Sequence, residues 1–415
     1  MLPQGRDDRG AVVTSWRNWS GSVTAQPRSI GRPSSEVALI KLIAHAHHER
    51  RNVRVTGSGH SFTPLCETDG ILISLDALRG LLPTLQGARR ATVWAGTKIS
   101  QLGELLLDAG LALENQGDVD YQAVGGAIST GTHGTGARFG SLSTQVTALR
   151  IVLASGEVVT CSESLEPEMF KAAGVSLGLL GVISQVTLRL VPAFRLHERT
   201  WAASVEDCLA QFDSWAQANR HAEFFWVPGC DECAVKVLSI TEKEPSGVPP
   251  AELAPPGTIA RYVLPERIDW SCRSFPSPRT ALFNEMEFAV PIDSGKECFL
   301  EIRELMLSKH CAVKWSVEYR TQKGDDLHLS PAYQRDVATI SVHQGAEIPY
   351  QPFFNDVETV FRNHRGRPHW AKLHSHVAKE LCELYPMWNR FHSLRERLDP
   401  EGRFVNAYLR GVMFE

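Results

Sequence analysis

Arg54-Val55-Thr56-Gly57-Ser58-Gly59-His60-Ser61-Phe62 is the stretch of this sequence that decides the fold. The residues leading into it, Asn52-Val53-Arg54-Val55, have the apolar and β-branched alternation of a short buried strand. Two glycines separated by one residue allow positive φ and a close approach of the backbone to a ligand. Successive backbone N–H groups in such a turn form an anion-binding concavity, so the stretch predicts a pyrophosphate site with a histidine beside it.

The spacing of this loop is a weak signal when it is taken alone. Residues 57–62 read G-x-G-x-x-F and so depart from the dinucleotide fingerprint G-x-G-x-x-G. A glycine-rich turn with a surface histidine would explain the same letters. The loop therefore needs a second, independent feature before it can indicate a cofactor.

A second glycine-rich stretch, Val124-Gly125-Gly126-Ala127-Ile128-Ser129-Thr130-Gly131-Thr132-His133-Gly134-Thr135-Gly136, supplies that feature. Glycines with Ser and Thr between them suit backbone that wraps closely around a flat, polar ligand. A low-complexity linker is the alternative. Linkers of that kind lack the apolar Val124, Ala127 and Ile128 and are rarely flanked by strand patterns on both sides.

Composition limits the class of protein. The chain has 415 residues, of which 43% are hydrophobic and 22% charged, which is typical of a soluble globular protein of about two domains. A net charge of −4 gives no reason to expect a nucleic acid or an anionic membrane as partner. The sequence has no run of about 18 apolar residues, so it predicts no membrane-spanning helix.

The cysteines and the first ten residues indicate the compartment. Nine cysteines at irregular spacing fit reduced thiols better than a disulfide framework, and Met1 to Gly10 is too polar for a secretory signal. We therefore expect a cytoplasmic protein. Cys230-Asp-Glu-Cys233 has no second pair at metal-ligand spacing, so no metal site is predicted. The oligomeric state is left open.

The two glycine-rich stretches resemble the FAD-linked oxidases of the vanillyl-alcohol oxidase superfamily. G-S-G-H-S-F is similar to the covalent flavin attachment loop of that family, and G-G-A-I-S-T-G-T-H-G-T-G to its second flavin-binding stretch. The most similar branch is the sugar-1,4-lactone oxidases (gulonolactone and arabinonolactone group), with the alditol oxidases next. The resemblance implies FAD attached to His60. The residues it assigns to the cofactor are Arg54, Gly57, Ser58, Gly59, His60, Ser61, Gly125, Gly126, Ser129, Thr130, Gly131, Thr132, His133, Gly134, Gly136, Val182 and Asn406.

The pattern of elements predicts an α+β fold. Strand and helix patterns mix without the regular βα alternation of a doubly wound sheet. The resemblance implies a p-cresol methylhydroxylase-type FAD domain and a substrate-binding cap domain with an antiparallel sheet. The texture of the sequence changes near residue 195, so we predict an FAD domain over 1–195 and a cap domain over 196–374. Residues 375–415 would return to the FAD domain.

Three short stretches in the second half of the chain carry candidate catalytic residues. Glu318 and Arg320 are two apart on a predicted strand, so both side chains project from one face. The same alternation places His343 beside Ser341, and Lys372 lies in the crowded Arg367-Pro368-His369-Trp370-Ala371-Lys372. A structural ion pair, a core histidine and a basic surface loop are the respective alternatives. The resemblance implies that Glu318, Arg320, His343 and Lys372 face the flavin and the substrate.

The resemblance implies the oxidation of a sugar-1,4-lactone by hydride transfer to flavin N5. Reduced flavin would then pass its electrons to O2 and give hydrogen peroxide. An alditol oxidase, a lactone dehydrogenase with another electron acceptor and a non-catalytic flavin- or sugar-binding protein are the alternatives. The sequence leaves open whether Glu318, His343 or Lys372 takes the proton.

Overall fold

The computed structural model describes residues 4–6, 12–83, 89–246, 254–255, 257–277 and 281–415. The Pro-rich stretch 244–257, which the sequence predicts to be an exposed loop of the cap, lies largely outside the described residues.

The loop that contains His60 follows the edge strand of a small parallel sheet. This sheet has the strand order Ser29–Gly31, Ile71–Ser74, Val53–Thr56, and both pairings are parallel. Helix Glu36–His48 precedes strand Val53–Thr56 and begins where the Ser35 hydroxyl accepts a hydrogen bond from the Ala38 amide. Serine is a favoured N-cap because its hydroxyl accepts from an amide that has no partner within the helix.

A four-stranded antiparallel sheet completes the first half of the chain. Its order is Val158–Ser162, Val146–Val152, Val182–Arg189, Arg90–Trp94. The first two strands form a hairpin, and Gly156 adopts a φ of 84° in its turn.

An eight-stranded antiparallel sheet dominates the second half. The sheet joins strands that are distant in sequence, because two interior strands, Val317–Gln322 and Val337–Gly345, pair with strands from residues 221–291. The strands in spatial order are Arg267–Trp270, Arg195–Ser204, Glu232–Thr241, His221–Val227, Val317–Gln322, Val337–Gly345, Phe283–Pro291 and Arg367–Pro368.

The remaining elements are helices and short strand pairs. The α-helices are Glu36–His48, Ile99–Asp108, Val124–Ser129, Pro167–Ala173, Val205–Ala218, Ser271–Ser274, Gly295–Ser308, Gln351–Asn363, Ala378–Leu384, Trp388–Leu398 and Ala407–Met413. The 3₁₀ helices are Leu142–Gln145, Ile259–Arg261 and Ile292–Ser294. The short antiparallel pairs are Gln4–Arg6 with Val12–Thr14, Trp16–Arg17 with Thr24–Ala25, and Leu111–Ala112 with Val191–Pro192.

The buried hydrophobic residues form two large cores. One core is built mainly from residues 39–190 and 378–413, and the other from residues 208–361. The second core covers one face of the eight-stranded sheet with helices Val205–Ala218, Gly295–Ser308 and Gln351–Asn363. The chain therefore returns to the first core after residue 377, while the domain boundaries at 195 and 374 stay a prediction.

Candidate active site

The first cavity, called here the glycine-lined cavity, runs along both glycine-rich stretches and has about 900 Å³ of empty space, which includes space open to solvent. Its walls are residues 54–61 of the His60 loop, residues 122–130 around helix Val124–Ser129, and residues 177–183 before strand Val182–Arg189. These segments leave or enter the ends of strands in both small sheets. A cavity with a largely backbone wall is thus formed where the sheets end.

Close backbone packing explains two of the glycines in these walls. A Cβ at Gly57 would lie 2.8 Å from the Ala123 Cβ, and one at Gly125 would lie 2.9 Å from the Ala95 Cβ. Gly126 is different, because a Cβ there would meet nothing within 4 Å. A larger side chain at Gly126 would therefore enter the cavity without displacing the protein.

Arg54 is buried under the floor of the glycine-lined cavity. Its guanidinium donates to the carbonyls of Leu65 (2.6 Å), Phe404 (2.6 Å) and Leu177 (2.7 Å). Burial lowers the pKa of this guanidinium to about 10, with a smaller opposing effect from Cys66. Arg54 therefore ties together three segments of the first core, including the C-terminal one.

His60 lies in an aromatic setting at the end of this cavity. Its ring meets those of Trp19, Tyr121 and Phe62 at centroid distances of 4.8, 5.0 and 5.9 Å. The Tyr121 hydroxyl is 3.5 Å from His60 Nδ1. Packing and this polar contact fix the plane of the imidazole, which is 8% exposed.

The second cavity, called here the polar chamber, adjoins the first and has about 560 Å³ of empty space, which includes space open to solvent. The two cavities share the wall residues His60 and Gln122. The other walls come from the eight-stranded sheet and from two loops that face it. Its ionisable wall residues are His60, Asp118, His133, Glu285, Glu287, Glu318, Arg320, His343, His369 and Lys372.

Strand register places the polar residues of the sheet in the chamber. Glu287 and Glu318 both lie opposite Ser341, and Glu285 lies opposite His343. Side chains directly opposite one another in a sheet share a face, so these residues form two adjacent rows. The alternate residues, such as Met286, Tyr319 and Val342, face the second hydrophobic core.

Glu287 is the most strongly paired carboxylate of the chamber. Arg320 Nη2 donates to its Oε2 (3.0 Å) and His133 Nε2 donates to its Oε1 (2.5 Å). Burial alone would raise the pKa of the Glu287 carboxyl, but Arg320, His133 and His369 together lower it well below its ordinary value. Glu287 is therefore a buried anion.

Glu318 is in the opposite electrostatic situation. Burial raises the pKa of its carboxyl to about 8, and Arg320 opposes this only in part. The acidic groups Asp118, Glu223 and Glu285 raise it further. Glu318 Oε1 lies 3.4 Å from Arg320 Nε, and its Oε2 accepts a weak hydrogen bond from the Ser341 hydroxyl (3.3 Å). Glu318 can therefore exchange a proton near neutral pH.

A second group of charged side chains surrounds Glu285, in the row of the sheet next to Glu287. Lys372 Nζ forms an ion pair with Glu285 Oε2 and lies 5.0 Å from the ring centroid of Phe62. His343 Nε2 is 3.7 Å from Glu285 Oε1, and its Nδ1 donates to the Ser316 carbonyl (3.0 Å). This wall presents an ammonium, an imidazole and a carboxylate, which are groups that bind hydroxyls.

The loop that carries Lys372 is fixed on several sides. The amides of His369 and Leu373 donate to the carbonyls of Glu287 and Glu285 (both 2.9 Å), and the Phe62 amide donates to the Ala371 carbonyl (2.8 Å). Burial lowers the pKa of His369 to about 3, so its imidazole is neutral, and its Nδ1 accepts from the Ala371 amide (3.1 Å). The backbone thereby connects the Lys372 loop directly to the His60 loop.

The four predicted catalytic residues Glu318, Arg320, His343 and Lys372 all line the polar chamber. Eleven of the seventeen predicted cofactor residues line the glycine-lined cavity: Arg54, Gly57, Ser58, Gly59, His60, Ser61, Gly125, Gly126, Ser129, Thr130 and Val182. Thr132 and His133 line the polar chamber instead. Placement brings these residues together and does not by itself assign their roles.

Four predicted cofactor residues line neither cavity. Asn406 caps helix Ala407–Met413 by accepting from the Leu409 amide (2.8 Å), and its amide donates to the carbonyls of Pro64 and Glu67. Gly131 turns the chain at a φ of 73°. A Cβ at Gly134 would lie 2.3 Å from the Gln116 carbonyl oxygen, and the Gly136 amide donates to the Thr321 carbonyl (2.9 Å). Side-chain capping and backbone packing account for these four residues.

Four residues of the chamber were not predicted from the sequence: Glu285, Glu287, His369 and Asp118. Glu285-Met286-Glu287-Phe288 carries a usable signal, because two carboxylates alternate there with apolar residues on a predicted strand. His369 stood in a stretch that was singled out, but nothing in its spacing shows that the ring is buried. Asp118 comes from a loop and has no local pattern.

Comparison with solved structures identifies the fold. The chain matches the cholesterol oxidase of Brevibacterium sterolicum with a TM-score of 0.83 and 18% identity, over 100% of both chains. A structure titled solvent-stable cholesterol oxidase matches with a TM-score of 0.84 over 97% of this chain and 98% of its own. At 17–18% identity these matches establish the fold and not the reaction.

Comparison with families and relatives is more specific. Residues 27–162 match the FAD binding domain family, and residues 186–265 and 258–412 match the D-arabinono-1,4-lactone oxidase family. The L-gulono-1,4-lactone dehydrogenase of Mycobacterium tuberculosis is 37% identical over 96% of this chain and 99% of its own. The L-gulonolactone oxidase of Mus musculus is 32% identical over 98% of this chain and 99% of its own. The chain belongs to this family of FAD-dependent lactone oxidoreductases.

The residues present fit an FAD. The open position at Gly126 and the backbone of the His60 loop leave room for a flat ring system, while glycine turns supply N–H groups for a pyrophosphate. The described ranges contain no helix that could cross a bilayer. Within the same ranges, no three or more His, Cys, Asp or Glu side chains are arranged to hold a metal ion.

Proposed function

We propose that this protein oxidises a secondary hydroxyl of a sugar-1,4-lactone. The observation that carries the proposal is the polar chamber, where Arg320, Lys372 and four carboxyl side chains surround a space that adjoins the glycine-lined cavity at His60. A small, uncharged, polyhydroxylated substrate matches these walls, because the cations already face carboxylates and the hydroxyls can bind both. The relatives with lactone names support the same class of substrate.

FAD would be held by the glycine-lined cavity and would supply the two-electron redox chemistry. We propose that His60 is its covalent attachment point, since the imidazole stands where the two cavities meet. Replacing His60 with Ala should leave FAD that is released on denaturation, whereas the wild-type band should fluoresce on a denaturing gel. Fluorescence in the His60→Ala band would refute the attachment.

The side chains of the chamber divide the chemical tasks. The Arg320 guanidinium stabilises negative charge that develops on the substrate oxygen, because it is a fixed cation in a buried site. Glu318 takes the hydroxyl proton, since a base is most effective when its pKa lies near the working pH. Lys372 and His343 bind neighbouring hydroxyls and orient the ring. Lys372 is less suited to be the base, because it is paired with Glu285.

We propose O2 as the electron acceptor, with hydrogen peroxide as the product. The M. tuberculosis relative is named a dehydrogenase and the mouse relative an oxidase, so an alternative acceptor is the second candidate. An oxygen electrode with catalase separates the two. Oxygen consumption that catalase halves supports the oxidase, and turnover only with an artificial acceptor supports the dehydrogenase.

The substrate class is tested by anaerobic mixing. The purified flavoprotein is mixed with L-gulono-1,4-lactone, with D-arabinono-1,4-lactone and, separately, with xylitol, and the flavin absorbance is followed. Rapid bleaching by a lactone supports the proposal. Bleaching by xylitol alone would make the protein an alditol oxidase, the alternative within the same fold.

We also propose a cytoplasmic location. All nine cysteines are unpaired, and Cys230, Cys311 and Cys382 are exposed. Exposed thiols persist in a reducing compartment. Thiol titration of protein trapped with alkylating reagent in intact cells should find these three cysteines reduced.

A further inference from the structure

The Arg320 guanidinium faces two carboxylates in the polar chamber, but it forms a hydrogen bond with only one of them. Arg320 Nη2 donates to Glu287 at 3.0 Å. Arg320 Nε lies 3.4 Å from Glu318 but has no hydrogen-bond partner in the described structure. Arg320 therefore donates a hydrogen bond to Glu287, whereas its contact with Glu318 is ionic only.

The second oxygen of Glu287 is held from outside the sheet. His133, in the glycine-rich segment, directs Nε2 to Glu287 Oε1 and Nδ1 to the Gly134 carbonyl (2.8 Å). Both ring nitrogens thus face acceptors, and an imidazolium can donate to both. Glu287 is 1% exposed and receives the His369 amide on its own carbonyl, so its position is fixed at both ends.

We propose that Glu287 is a positioning residue: together with His133 it holds the Arg320 guanidinium, so that Glu318 is left as the carboxyl that exchanges a proton with the substrate. The inference goes beyond the proposed function by adding a residue that need not touch the substrate. It rests on the proposed function only for the identity of that substrate.

The charges around Glu318 give the inference a measurable consequence. Two buried carboxyls near one cation are driven to opposite pKa values, and such a pair marks the anion and the proton carrier. Removing the charge of Glu287 should lower the pKa of Glu318, because Arg320 becomes free for it and a neighbouring anion disappears. The ionisable groups that face Glu318 from the packed elements are Arg320, Glu223, Lys236, His343, Glu285, Glu287, Asp118, His133, His369 and Lys372.

The test is an infrared titration of the purified holoenzyme without substrate. A protonated carboxyl has a carbonyl stretch that an ionised carboxylate lacks, and the difference spectrum against Glu318→Gln assigns the band of Glu318. This subtraction also removes Asp325, whose pKa burial raises to about 6. We expect Glu287→Gln to shift the midpoint of the Glu318 band downward by at least one pH unit, a tenfold loss of proton affinity.

His133→Gln gives the opposite sign and serves if Glu287→Gln does not fold. Without His133, Glu287 loses one of its two side-chain hydrogen-bond partners and depends more on Arg320, so the Glu318 midpoint should rise. The matched control is Glu36→Gln, which breaks another carboxylate–guanidinium pair, since Glu36 accepts from Arg150 (2.8 Å) and Ser184 (2.7 Å) outside the chamber. The control should not move the Glu318 band.

An unchanged midpoint in Glu287→Gln, or the same shift in Glu36→Gln, would overturn the inference. Anaerobic flavin reduction by L-gulono-1,4-lactone across pH supplies the second readout, and its midpoint should move with that of the infrared band. If no lactone reduces the wild-type flavin, the proposed function fails while the infrared result still decides the role of Glu287. The two failures are therefore distinguishable.

Discussion

The glycine-lined cavity and the polar chamber meet at His60 and Gln122, but they are built in different ways. The first is formed by backbone from three chain segments, and glycines make room where a side chain would obstruct. The second is formed by side chains from three neighbouring strands and the loops that face them. This difference shows that a few consecutive residues can provide the space for a cofactor. A set of opposing charges instead depends on strands that pair across the sheet.

We expect the largest effect from a substitution that fills the glycine-lined cavity and leaves the polar chamber unchanged. Gly126→Leu should abolish FAD binding, because the side chain enters the cavity and meets no protein atom that would unfold the chain. Gly411→Leu is the matched control, since that helical glycine also has nothing within 4 Å of a built Cβ. Absorbance of the purified proteins near the flavin bands measures the result. A yellow Gly126→Leu variant with normal flavin content would contradict the assignment of this cavity.

The next effect breaks the chamber and leaves the cofactor bound. Arg320→Met should slow anaerobic flavin reduction about 100- to 1000-fold, as the loss of one preorganised donor does in other active sites. The control is Arg335→Met, a largely buried arginine that donates to the Ala289 and Arg365 carbonyls away from the chamber. Stopped-flow absorbance compares them, and equal rates in the two variants would exclude the role of Arg320.

A third effect concerns how the Lys372 loop is held from outside the chamber. Glu358 accepts from the Ser375 amide and from His376, and although burial alone would raise its pKa, His376 and Ser375 lower it to about 2. Because the folded pKa is depressed, this stabilisation is complete above the unfolded pKa of 4.5 and is lost as pH falls toward 2. Glu358→Gln should cost about 3 kcal/mol of unfolding free energy at pH 7.

Urea unfolding of wild type and Glu358→Gln at several pH values checks this expectation. The difference between the two proteins should shrink once the pH falls below about 5. A difference that stays constant down to pH 3 would show that the carboxylate charge is not what holds the loop.

The smallest expected effect separates binding from chemistry within the chamber. Lys372→Met should raise KM about tenfold with little change in kcat, because a hydrogen bond from a charged donor is lost to the substrate. Glu285→Gln in the same chain removes the partner left unpaired and should restore stability but not KM. Steady-state kinetics together with thermal unfolding distinguishes the two, and a loss confined to kcat would place Lys372 in the chemical step.

Much of the fold and of the cofactor cavity could be predicted because the signals are local. The N-cap at Ser35, the hairpin turn at Gly156 and the strand before Gly57 depend on neighbours within a few residues. The glycines at 57, 125 and 126 indicate a backbone-lined site in the same way. The alternation in Val317–Gln322 likewise places Glu318 and Arg320 on one face.

No local sequence pattern predicts which side chains pair with one another on that face. Strand pairing brings Glu287 opposite Ser341 and Ser341 opposite Glu318, although these residues are separated by up to 54 positions, and only tertiary structure sets that register. Burial then decides the charges, because the same carboxyl type is an anion at Glu287 and a proton carrier at Glu318. Asn406 shows the same dependence on tertiary structure, since its side chain caps helix Ala407–Met413 while its contact with the flavin stays a prediction. The sequence by itself determined the class of fold, the cofactor and the residue types of the site. Tertiary structure decided which carboxylate holds Arg320, because pKa values and hydrogen-bond partners depend on neighbours that are distant in the chain.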